Sequence, residues 1–237
     1  MFFSPFVEKF VRTIIALTLV AAGVATFGSP LYFDRLYILI IVTVGFFARK
    51  DINILGVIAL LGGQRVIEEA AFIFIDVQPA LIKLPIYFFC LVGLYRIRFD
   101  SICYILCPLL LITFGAEIYW YLDSYKAPVI WWHLLLITSS MLVRKFIWMR
   151  ELWCKKHFPG KVRSLDLDYY IYELCLIYIW VNIAMVLEYF VRHILNIKDC
   201  LYVYYSFPYI AQTITILTLL LLVDQSIKNI NAKMIKV

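Results

Sequence analysis

Short clusters of basic residues punctuate this chain, and the stretches between them are apolar and long enough to cross a hydrocarbon layer of about 30 Å. Such alternation leaves few folds open. Hydrophobic residues make up 64% of the 237 positions and mean hydropathy is +0.89. In lipid, a backbone satisfies its own polar groups within a helix. The expected fold is all-α: a single polytopic transmembrane bundle over residues 1–237. Eight spans are read at about 11–27, 36–48, 52–72, 80–95, 101–122, 127–143, 169–191 and 203–223. The second and sixth are short, so a seven-span count is the competing reading.

Orientation follows from the cations. With the amino terminus inside, the inner segments hold Lys9 and Arg12, Arg49 and Lys50, Arg96 and Arg98, then a long loop, and finally Lys228, Lys233 and Lys236. The outer segments hold only Arg35, Lys83, Lys126, Arg192 and Lys198. That imbalance, sixteen basic residues against five, predicts both termini in the cytoplasm. A plasma (inner) membrane is the expected location. Glu8, Lys9 and Arg12 precede an apolar stretch ending in small residues, as a leader would, yet the first segment is expected to be a retained helix.

Tryptophans support the same frame, with Trp120, Trp131 and Trp132 at the proposed outer boundary and Trp148 and Trp153 just inside. Of six cysteines only Cys200 faces out, so no external disulfide within the chain is expected. Cys103 and Cys107 share a helix face without a nearby His, which argues against zinc. No metal and no cofactor is expected, haem included, because His133 and His193 both lie towards the outer edge.

A weak tandem repeat of hairpins is visible. Arg49, Asp51 and Glu68 recur 49 residues later as Arg98, Asp100 and Glu117, and Asp168 with Glu188 repeats the arrangement loosely. A Glu 17 residues beyond the Asp lies about 25 Å along the helix, near the far edge of the hydrocarbon. Repeats of this kind occur in transporters and plain bundles alike.

Charges inside spans are costly and are therefore candidates for function. Arg65 stands three and four residues before Glu68 and Glu69, and Glu188 stands four before Arg192, so both sets are expected to pair along their own helices. Glu117 has no cation within four positions. Its expected partner is His133, at a similar depth across the hairpin, in a pair that would share a proton or hold two helices together.

The longest hydrophilic segment, 144–168, is basic, aromatic and amphipathic. The sixth helix is expected to run on to about His157, with Pro159 and Gly160 stopping it and Ser164 or Asp166 capping the next. Arg144, Lys145, Arg150, Lys155, Lys156, Lys161 and Arg163 would then meet anionic lipid or dock a partner. No specific nucleic-acid binding is expected, since positive-inside bias explains the +6 charge.

Gly-rich phosphate loops, HExxH, GxSxG and paired-Cys motifs are absent from the sequence. The expectation is a non-catalytic membrane subunit, a scaffold or sensor in a larger assembly, with lipids and other protein subunits, cytoplasmic ones included, as partners. Homo-oligomers are compatible with it. One alternative is a proton or small-cation channel or secondary transporter using the outer carboxylates. A weaker one is an intramembrane lipid-modifying enzyme built on Glu117, His133, Arg192 and His193.

Overall fold

The computed structural model describes residues 5–75, 79–125, 129–160 and 162–234. Among these it has no strand and eight α-helices: α1 (Pro5–Ala25), α2 (Pro30–Phe47), α3 (Ile52–Ile75), α4 (Pro79–Ile97), α5 (Cys103–Leu122), α6 (Ile130–His157), α7 (Asp166–His193) and α8 (Tyr202–Met234). Four helices are long and apolar enough to cross a membrane: α5, α6, α7 and the Tyr202–Asn229 part of α8. In α3 the charges of Arg65, Glu68 and Glu69 interrupt the apolar run. Lys126, Lys161 and Lys236, counted in the topology argument, lie outside the described residues.

Helix ends obey local chemistry. Pro30 opens α2, where its missing N–H is no loss and its φ is already helical. Gly28 before it and Gly160 after α6 sit at φ +79° and +78°, the left-handed region that a side chain disfavours. The turns between α2 and α3 and between α4 and α5 are built alike. Asp51 N–H donates to Ala48 O and Asp100 N–H to Ile97 O, each at 2.7 Å. Each Asp carboxylate then accepts the amide two residues on, Asn53 or Ile102, at 3.1 Å. Burial matches at the same offset, in Ile41 and Cys90, Ala48 and Ile97, Val57 and Leu106, Leu61 and Leu110.

The chain divides into two compact units, the first being Met1–Gly62, Ile147–Leu174 and Pro208–Val237, the second Gly63–Phe146 and Cys175–Phe207. In the first, α1 and α8 run antiparallel. Arg12 pairs with Asp224, Gly23 lies so close to Ile216 that a Cβ there would clash, and the rings of Phe27 and Tyr209 meet edge-on at 6.0 Å. The second has a continuous apolar core contributed mainly by α4, α5, α6 and α7, with Ala71 of α3. There Gly93 of α4 meets the Thr138 methyl of α6, and Thr138 donates to Cys90 Sγ at 3.3 Å. Small residues let these helices approach closely. Trp120 and Trp131, expected at the outer boundary, are buried members of this core, whereas Trp148 and Trp153 are exposed. An indole near the end of an apolar helix packs its large apolar ring against neighbouring helices when they lie within reach. Over its apolar window α6 is 78% buried, against 28–39% for α5, α7 and α8. That burial explains why it alone carries the consecutive Thr138, Ser139 and Ser140.

Candidate functional site

The glutamates of the second unit lie on α3, α5 and α7, and their neighbours α4 and α6 supply further polar groups. On α3, Arg65 pairs with Glu68 at 3.5 Å and Glu69 at 2.5 Å, as the spacing predicts. Glu68 is also tied to α6. Ser139 donates to it at 3.3 Å, while Gln64 donates to both Glu68 at 2.9 Å and Ser140 at 3.2 Å. A buried carboxylate held by an arginine, an amide and a hydroxyl is fixed rather than free to move.

Glu117 and His133 do not meet. Glu117 accepts from the Lys83 ammonium of α4 at 2.7 Å, and its second oxygen, Oε1, is buried without a hydrogen bond. His133 instead shares a hydrogen bond with Asn182 of α7 at 3.0 Å and stacks edge-on against Phe207. Two causes separate them. Glu117 lies five residues from the end of α5 and His133 three from the start of α6, so their depths differ by about 3 Å. A full positive charge also attracts a buried carboxylate more strongly than a neutral ring does.

Glu188 and Arg192 are likewise apart. Glu188 accepts the amides of Val203 and Tyr204 at 2.7 and 2.9 Å, anchoring the beginning of α8. Those first amides have no acceptor within the helix and carry its positive dipole end, so a carboxylate fits them. Arg192 lies over the Tyr204 ring at 5.7 Å. Replacing Glu188 with Gln should lower stability by about 1 kcal/mol, read as a shift in thermal unfolding of the purified protein. An unchanged midpoint would show that the anchor contributes nothing. Beyond it, His193 Nδ1 meets the Tyr125 hydroxyl at 2.8 Å.

The basic segment after α6 is mostly engaged internally. In the second unit Arg144 pairs with Asp100 at 2.8 Å, and Lys145 donates to the Arg96 carbonyl. In the first, Arg150 grips both oxygens of Asp168 at 2.9 and 2.5 Å and donates to the Arg163 carbonyl at 3.0 Å. Asp168 in turn accepts the Leu165 amide at 3.1 Å, so it caps α7 in place of Ser164 or Asp166. Arg163 donates to Asn229 of α8 at 2.6 Å, and its own amide donates to Asn53 of α3 at 2.9 Å. Asn229 reaches Asp51 at 3.3 Å. These bonds join the α2–α3 turn, the α6–α7 loop and α8 into a buried clasp. Lys155 pairs with Glu151 at 2.5 Å on the surface and Lys156 is exposed. Lys161 lies outside the described residues.

Of the expected docking cations, then, Arg144, Lys145, Arg150 and Arg163 hold the fold. Sequence reasoning overlooked Asn53, Asn182, Ser139 and Asn229 as their partners and those of the buried Glu and His. A signal was available for Asn182, a lone polar residue in an apolar stretch of α7, and for Ser139, in the hydroxyl run Thr138–Ser140 of α6; Asn53 and Asn229 lie among other polar residues and gave none. Among the described residues no group of three or more His, Cys, Asp or Glu could hold a metal ion. No family model, curated protein or solved structure matches the chain.

Proposed function

We propose that this chain is a non-catalytic multi-pass membrane subunit that couples to a cytoplasmic protein through the end of α6. Its eight helices span the plasma (inner) membrane with both termini in the cytoplasm, and further subunits complete the assembly. The observation that carries the reading is the surface of α6 beyond Phe146. Trp148, Leu152 and Trp153 are 67, 68 and 57% exposed there, beside Lys155 and Lys156. Large apolar side chains flanked by cations on one rigid helix suit an apolar partner surface with an acidic rim. The clasp around Arg150 holds that helix from behind.

The charges within the helices favour a scaffold over a conduit. Glu68, Glu117 and Glu188 each have donors on another helix, and Arg65 answers Glu69. A relay needs carboxylates that release their partners, whereas a scaffold needs them to keep them.

Gentle extraction from native membranes and mass spectrometry of the intact complex test the reading. A stoichiometric protein partner is expected, released by Leu152→Glu with Trp153→Glu and weakened by Lys155→Gln with Lys156→Gln. A chain that extracts alone, or a partner retained by the double glutamate variant, would refute docking at α6.

A further inference from the structure

In the α4–α5 turn of the second unit, Arg98 stands five residues before Cys103, where α5, a helix long and apolar enough to cross a membrane, begins. Where α5 crosses, the turn lies at the border between hydrocarbon and headgroups. Its charges do not balance. Asp100, the carboxylate of the turn, is spent inward, on the Ile102 amide at 3.1 Å and on Arg144 at 2.8 Å. Among the described residues neither a hydrogen bond nor an ion pair engages the exposed Arg98 guanidinium. The half-buried Lys145 donates to the neutral Arg96 carbonyl, two residues from Arg98, and forms no ion pair. Two cations are left unanswered there.

Aromatic rings fix the arginine. Its guanidinium lies over Tyr95 at 5.1 Å and Phe99 at 4.8 Å. Stacking covers the flat faces of a guanidinium and leaves its in-plane N–H donors at the edge, where they match two oxygens of a phosphate. The rings also indicate the source of that phosphate. Phe99 is 87% exposed and Tyr104, one residue into α5, is 82% exposed. Large rings standing out beside a membrane-crossing helix suit the acyl boundary rather than water.

We infer that this turn binds the headgroup of one anionic phospholipid. The phosphate accepts from the edge of Arg98 and from Lys145, and the acyl chains pass Phe99 and Tyr104. A zwitterionic headgroup brings its own cation to a site that already holds two, so it binds more weakly. The inference rests on α5 crossing a membrane, part of the reading above, and is independent of a protein partner at α6.

Native mass spectrometry of the full chain, reconstituted with phosphatidylglycerol and phosphatidylcholine in equal amounts, tests it. The wild type should retain one phosphatidylglycerol. Arg98→Gln should cut the preference for phosphatidylglycerol over phosphatidylcholine about tenfold. Tyr95→Leu with Phe99→Leu keeps every charge and much of the bulk but removes the ring faces, and should cut it about threefold. All three side chains are exposed, so these variants keep the fold. Equal retention of the two lipids by the wild type would overturn the inference, as would an unaltered preference in Arg98→Gln. A preference untouched by the leucine pair would also overturn it, by showing diffuse attraction to charge without a built site. Release of the lipid by excess inorganic phosphate would overturn the lipid assignment in favour of free phosphate.

Discussion

Replacing Arg150 with alanine is expected to destabilise the protein by about 3–5 kcal/mol, the cost of leaving one member of a buried ion pair without the other. Arg150 is 3% exposed and supplies three hydrogen bonds, two to Asp168 and one to the Arg163 carbonyl. Its aliphatic stem also faces Gly56, where a Cβ would come within 3.2 Å of Arg150 Cδ. Lysine restores the charge but not the fork, so Arg150→Lys should recover less than half of the loss. Changing both partners is informative. Because an apolar pair has no buried charge to compensate, Arg150→Met with Asp168→Leu should be far less damaging than either change alone. Unfolding of the purified protein in detergent measures all four variants. A single-site loss under about 1 kcal/mol would show that water reaches this pair and that the clasp is weak.

Removing the Glu117 charge is the second large change, and it separates the scaffold from the conduit. Glu117→Gln leaves the Lys83 ammonium, itself largely covered, facing a neutral amide. The expected loss is about 2 kcal/mol, in the range of hydrogen bonds to charged groups. Lys83→Met with Glu117→Leu should recover most of it. In proteoliposomes proton and cation flux should be the same for wild type and Glu117→Gln, because the carboxylate holds α4 to α5. A flux that falls in Glu117→Gln while stability is kept would reverse this assignment and favour a relay.

The places of the helices were legible without a structure, but not all their ends: α1 begins at Pro5 and α2 at Pro30, each about six residues before the reading, and α8 runs on to Met234, well past 223. The α6 helix stops at His157 just before Pro159 and Gly160, as read, because backbone geometry at proline and glycine is a local property. The two similar Asp turns were legible too, since an Asp that accepts the amide two residues on needs nothing from elsewhere. Side-chain partnership was legible only in part. Arg65 with Glu69 and Glu188 with Arg192 have the same i, i+4 spacing and look equivalent in sequence. The first pair forms, and the second does not, because two unsatisfied amides of α8 reach Glu188 first. Likewise Arg150, a residue of a basic loop by sequence, is a buried clasp because Asp168 folds back against it.

The sequence by itself therefore determined the all-helical class, the apolar runs and the chemistry of the turns, all of which depend on residues within a few positions of one another. Tertiary structure decided which charge answers which, and which tryptophans are core. It also decided that Arg12 and Asp224, 212 residues apart, stand together. The physical reason is that a charge in an apolar medium takes the best donor or acceptor within reach, and reach in a folded bundle is measured across helices rather than along the chain.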